Sequence, residues 1–191
     1  SSLPAPCVLW QHIHFEWLWV YHGFVPVVGQ WSREISVPAG WFWVEQGRGI
    51  IRADGREVKI KAGESFFSAP GMRQHWFAPG TRLLSVGYRA AWPGGLPLFQ
   101  KGLNIKAGAR LSEALRLMTL ALFSSVHGGQ TEVGYLEAVK VRPGSLEQWL
   151  HHTSSFQSWF SMYAHTLKKL GVTHHVPGKE RGPLTLAMNK L

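Results

Sequence analysis

His12, His14, His22 and His75 are the first residues whose types could do chemistry. Imidazole nitrogens carry the lone pairs that first-row metals bind, and His12 and His14, two apart, would leave a strand from one face. Their alternating neighbours Ile13 and Phe15, however, make that face the exposed side of a half-buried strand. A second set offers different chemistry. Trp41 and Trp43 are two apart, and so are Trp31 and Arg33. An indole presents a flat apolar face that stacks on the C–H face of a sugar or on another ring. A guanidinium offers fixed donors to hydroxyls or to a carboxylate. His75 and Trp76 are adjacent, so a regular strand sends them to opposite faces unless a bulge intervenes.

Nucleophilic and nucleotide chemistry find no support. No G-x-S-x-G elbow and no phosphate-binding glycine loop is present, and no helix follows Gly47-x-Gly49. The single cysteine, Cys7, excludes an internal disulfide and has no activating base or cation beside it. It fits a reducing cytoplasm, where the chain is expected to reside.

The elements that must position these residues change character once along the chain. From Trp10 to about residue 108, short alternating runs recur every 8–12 residues with Gly and Pro between them. WQHIHFEWLWVYHGF, QWSREISVP, GWFWVEQGRG, AGESFFSAPG, RQHWFAPG and TRLLSVGYRA each read as a strand. GIIRADGREVKI reads as a hairpin turning at Asp54-Gly55, where both central residues need positive φ. This spacing predicts an antiparallel sandwich or barrel.

After residue 108 the period becomes helical. Leu111, Leu115, Met118 and Leu122 predict a helix ended by Gly128-Gly129. TEVGYLEAVKV is ambiguous. Ser145 is a plausible N-cap for a long helix whose stripe includes Trp149, Phe156, Phe160, Tyr163 and Leu167, with Lys168 and Lys169 in its last turn and Gly171 beyond it. The chain thus divides into an arm (1–9), a β-barrel (10–108), a helical region (109–171) and a Pro- and Gly-containing linker (172–191).

Composition bounds the rest. With 45% hydrophobic residues and ten Trp, the chain can build one core and a small helical unit and is not disordered. The net charge of +9 invites a nucleic-acid reading, but it is spread. Residues 1–108 carry 11 Lys/Arg against 6 Asp/Glu, and residues 109–191 carry 9 against 5. A phosphate footprint should cluster. No apolar run is long enough for a membrane span, and the opening shows no signal-peptide pattern.

Gly47 and Gly49, Asp54-Gly55-Arg56-Glu57, Ala62-Gly63-Glu64, Ala69-Pro70-Gly71 and His75 together resemble the cupin-like sensor domain of AraC-family transcription regulators. The resemblance is strong over residues 41–76 and looser over the order of barrel and helices. It implies a mainly-β, cupin-like antiparallel barrel (jelly roll) followed by a pair of α-helices. The barrel would bind a small effector such as a sugar, the helices would make a homodimer, and a further domain would bind DNA. No helix-turn-helix pattern is visible in these residues. The resemblance places the metal-ligand positions of metal cupins at Trp41, Trp43 and Arg48, which carry no suitable donor. It therefore implies no cofactor and no enzyme activity. It places an effector-binding arginine near Arg33 and a pocket aromatic at Trp76, and puts Ser85 where a stacking aromatic is expected.

The expected ligand-binding set is Trp31, Arg33, Trp41, Trp43, His75, Trp76 and Ser85. The expected dimer seam is Trp149, Phe156, Trp159, Phe160, Tyr163 and Leu167, with packing inside one copy as its alternative. The alternative function is a metal-dependent isomerase or dioxygenase using His75 with His12 or His14. A third reading is an interaction module whose barrel is packed solid by Trp41, Trp43 and Phe66.

Overall fold

The structure is a computed structural model that describes residues 10–99, 101–139 and 142–175. The expected arm, with Cys7, and residues 176–191 of the expected linker lie outside the described residues.

The strands, in chain order, are β1 (His14–Phe24), β2 (Ile35–Val37), β3 (Ala39–Gln46), β4 (Arg48–Ala53), β5 (Arg56–Lys61), β6 (Ser65–Ser68), β7 (Gly71–Phe77), β8 (Arg82–Ala91) and β9 (Ile105–Ala107). The helices are α1 (Ala109–His127), the single turn α2 (Tyr135–Ala138) and α3 (Leu146–Lys169). The strands form two antiparallel sheets, one ordered β1-β8-β3-β6-β9 and the other β2-β7-β4-β5. This is a sandwich of two antiparallel sheets followed by two long helices, as the alternation and spacing predict, and it has the cupin-like form that the resemblance implies. The β4–β5 turn is the expected one: Asp54 (φ 52) and Gly55 (φ 69) are both left-handed, which matches the twist of a two-residue hairpin.

Two features redirect side chains in ways that alternation alone does not show. In β1 the pairing with β8 shifts register between Trp17 and Trp19. The extra residue of a bulge reverses the faces that follow it. Phe15 therefore meets Phe160 and Trp17 meets His152, both on α3, whereas Trp19 bonds Ser85 inside the sandwich. The second feature is that the helices cover the outer face of the five-stranded sheet. Phe156, Trp159, Phe160, Tyr163 and Leu167 are all buried there. Tyr88 of β8 donates from its hydroxyl to Tyr163 at 2.9 Å and packs on Trp159 and Phe160. Burial raises the pKa of both tyrosines, so the pair stays neutral.

Polar ties fix the helices to the sheet and to each other. Ser65 of β6 bonds Ser112 of α1 at 2.6 Å, and Trp159 Nε1 donates to Thr119 Oγ1 at 2.7 Å. Ser145 caps α3 by accepting from the Gln148 N–H at 3.2 Å. Among the described residues, no helix is long and apolar enough to cross a membrane.

Candidate functional site

The faces that the two sheets turn toward each other do not pack solid. They enclose a cavity of about 240 Å³. From the five-stranded sheet it is lined by Trp19 and Tyr21 of β1, Phe42 of β3, and Leu83 and Ser85 of β8; from the other come Ile35, Arg73, His75 and Phe77. Glycines make the room. Gly40 and Gly87 face each other across β3 and β8, and the Trp19 ring lies against Gly87 so closely that a Cβ there would be 2.3 Å from it. The mouth is apolar: Val27, Ile35 and Tyr135 border the cavity and are themselves exposed. Tyr135 belongs to α2, so one wall of the mouth comes from the helical region. Tyr21 packs edge-on to it and donates its hydroxyl to the Phe24 carbonyl.

The polar content is small and concentrated on β7. Arg73 and His75 are two apart and point inward together. Arg73 Nε donates to His75 Nε2 at 3.0 Å, and Nη1 donates to the Ala69 carbonyl at 2.8 Å. The acceptor role fixes the His75 proton on Nδ1. Arg73 is only 7% exposed, yet it makes no ion pair among the described residues. Burial lowers its pKa to about 10, so it remains a cation at neutral pH. Burial, and then the adjacent Arg73 charge, lower His75 to about 4, which leaves it neutral. The His75 backbone N–H donates to Ser32 Oγ at 2.9 Å, which draws Ser32 to the same wall.

The structure brings together only part of the expected set. His75 and Ser85 line the cavity, with Ser85 accepting from Trp19 Nε1 at 3.3 Å. Trp41 borders it but, like Trp43, sends its ring to the opposite side of β3. Phe42, between them, packs inward on Phe66 and Phe77, and Arg116 of α1 lies 5.2 Å over the Trp43 ring. Trp43 packs under α1, and by strand parity with the inward Phe42 neither indole fills the sandwich. Trp76 faces outward, as its adjacency to His75 required, beside Lys59, Lys61 and Glu64. Trp31 bridges to it and carries Arg52 on its ring at 3.8 Å. Arg33 is exposed, because regular pairing begins only at Ile35. The residues the sequence reading missed are Arg73, Trp19, Tyr21 and Phe77. Arg73 and Phe77 had a usable signal, since each is two residues from His75 and shares its face.

The histidines do not form a metal site. His14 sits at the exposed start of β1, His12 is exposed in the turn before it, and His22 lies on the helix side of the sheet, 3.0 Å from Glu45. Among the described residues, no three His, Cys, Asp or Glu side chains converge. The expected dimer seam is also redistributed. Phe156, Trp159, Phe160, Tyr163 and Leu167 are used up in packing α3 on the sheet. Only Trp149, half exposed beside exposed Leu146 and Leu150, remains for another surface.

No family model matches the sequence, and no curated protein matches it. Among solved structures it is similar to the AraC-like transcriptional activator CuxR (11% identity, TM-score 0.44, covering 81% of this chain and 50% of that one). It is also similar to ToxT of Vibrio cholerae bound to an unsaturated fatty acid (9%, TM-score 0.34, 83% and 54%). A cupin protein of Bacteroides fragilis matches over 46% of this chain (21%, TM-score 0.23, 70% of that one). The chain spans about half the length of the two regulators.

Proposed function

We propose that this chain is the effector-binding part of an AraC-like transcription regulator, which takes one small molecule into the cavity between its sheets. The observation that carries this reading is the cavity: a mostly apolar space with a few convergent polar groups, in a sandwich whose hairpin residues resemble that family's sensor domain. The mouth supports it further. Tyr135 touches the cavity, and α2 follows Val133, whose N–H donates to the His22 carbonyl on β1. A ligand that prefers one placement of Tyr135 would bias how α2 lies on the sheet. Such a preference between two states is what an effector switch requires. DNA would be met through a separate domain, and a homodimer through the exposed N-terminal half of α3.

The lining favours a compact, largely apolar molecule with one polar end. Ser32, Ser68, Ser85, Arg73 and His75 each already hold a hydrogen bond within the protein, so a ligand rich in hydroxyls would find few free partners.

The test is a thermal-shift screen of pentoses, hexoses, uronates, aromatic acids and alkyl acids on the wild-type chain and on Ser85→Phe, which fills the cavity. The reading expects stabilisation by some of these compounds in the wild type and none in the folded variant. Equal stabilisation of both, or of neither, contradicts it.

A further inference from the structure

A buried guanidinium with no acidic partner is an unusual thing for a fold to keep. Removing a charge from water is costly unless a counter-charge or full hydrogen bonding compensates. Arg73 is 7% exposed, and two bonds use two of its five N–H groups. Nη2 makes no bond among the described residues. Its partners, the His75 imidazole and the Ala69 carbonyl, are neutral, so neither offsets the positive charge. Both hold the guanidinium in place, and the side chain lines the cavity.

We infer that the cavity is built for an organic monocarboxylate with a compact apolar body, its carboxylate paired with Arg73 and its body lying against Trp19, Phe42, Phe77 and Leu83. This inference rests on the effector-pocket reading and adds the ligand's chemical class. The planar fork of a guanidinium matches the two oxygens of a carboxylate. His75 takes the Nε N–H and Ala69 one N–H of Nη1, which leaves the second Nη1 N–H and both N–H groups of Nη2 for the ligand. A phosphate monoester fits less well. Its second charge would need a second cation, and among the described residues Arg73 is the one cation in the cavity lining. The size also selects: about 240 Å³ lies below the roughly 300–1,000 Å³ of pockets for drug-sized ligands, which suits one ring or a short chain. The exposed apolar residues Val27, Ile35 and Tyr135 at the mouth would meet the end remote from the acid. The net charge of +9 favours the approach of anions generally.

The experiment uses matched pairs: benzoate with benzamide, phenylacetate with phenylacetamide, octanoate with octanamide, and phenyl phosphate as the dianion. Affinities are measured by calorimetry on the wild-type chain and on Arg73→Gln and Arg73→Lys, with circular dichroism to verify folding. The expected result is that at least one acid binds at least tenfold more tightly than its amide and than phenyl phosphate. In Arg73→Gln the acid-to-amide ratio should fall to about one, and Arg73→Lys should retain part of it, since a charged partner roughly doubles a hydrogen bond. If Arg73→Gln does not fold, the wild-type pairs and Arg73→Lys decide. Amides binding as well as acids, with Ser85→Phe abolishing both, would overturn the carboxylate inference and leave the effector pocket standing. Phenyl phosphate binding tenfold more tightly than any acid would also overturn it. No binding by any of these compounds overturns the inference, and if the wider screen is silent as well, the pocket reading falls with it.

Discussion

Replacing Gly87 with alanine puts a methyl group where Trp19 already lies. A Cβ on Gly87 would stand 2.3 Å from three carbons of the Trp19 six-membered ring. Non-bonded carbons settle about 3.5–4.0 Å apart, so the ring must retreat by about an ångström or more. It retreats at the expense of the 3.3 Å bond from Trp19 Nε1 to Ser85 Oγ, worth about 1 kcal/mol. Overpacking a close-packed contact adds about 1–3 kcal/mol. A total loss of about 3 kcal/mol corresponds to a fall in Tm of roughly 6–12 °C for a chain of this size. The displaced indole also takes up cavity space, so any compound that stabilises the wild type should stabilise Gly87→Ala less. Thermal denaturation followed by circular dichroism measures the first effect, and ligand-dependent shifts measure the second. Gly129→Ala, where an added Cβ meets nothing within 4 Å, is the control and should be nearly neutral. A Gly87→Ala protein with the wild-type Tm and undiminished ligand shifts would refute both the packing of Trp19 on Gly87 and its place in the cavity wall.

Further expectations follow from burial. His75 titrates near 4 in the folded chain and near 6.5 when unfolded, so the unfolded state binds the extra proton between those values. Its contribution is complete above pH 6.5 and is lost as pH falls toward 4, by up to about 3 kcal/mol; His75→Gln should flatten this part of the urea-stability profile, and an unchanged slope would contradict it. Thr119→Val leaves the buried Trp159 indole N–H without its acceptor and should cost about 1–3 kcal/mol by chemical denaturation. Phe156→Ala should cost about 3–5 kcal/mol, because its ring is interior, whereas Trp149→Ala, half exposed, should cost under about 0.5 kcal/mol. The opposite order would show that α3 packs by a different face, and sedimentation of Trp149→Glu would test that end of α3 as the dimer surface.

Much of the architecture was legible because local rules decide it. Asp54-Gly55 specifies its turn, Ser145 its cap, and the alternating runs their strands. The site was harder to read because parity tells which residues share a face but not which face is the inside. In a sheet covered on both sides, apolar residues occupy both parities. Trp41 and Trp43 therefore looked like a pocket wall, although they serve the helix side. The bulge at β1 was invisible for a related reason: Phe15, Trp17 and Trp19 alternate without a break in the sequence, and only the pairing with β8 separates Trp19 from the others. The long aromatic stripe of α3 was readable as a buried face. Whether its partner was a second copy or the chain's own sheet depended on tertiary packing. Arg73 was overlooked because a lone arginine on a strand ordinarily reads as surface, and only its burial, with no acidic partner among the described residues, marks it out.

The most direct measurement of the central claim is a ¹⁵N indole spectrum of the ten tryptophans during titration with phenylacetate, with assignments by single Trp→Phe replacement. Trp19 lines the cavity, whereas Trp31 and Trp76 lie on the outside of the four-stranded sheet. A saturable shift that is largest at Trp19 Nε1–H, with Trp31 and Trp76 unmoved, is the expected result. Shifts confined to Trp31 and Trp76, or saturable binding by calorimetry with Trp19 unmoved, would contradict an effector site between the sheets.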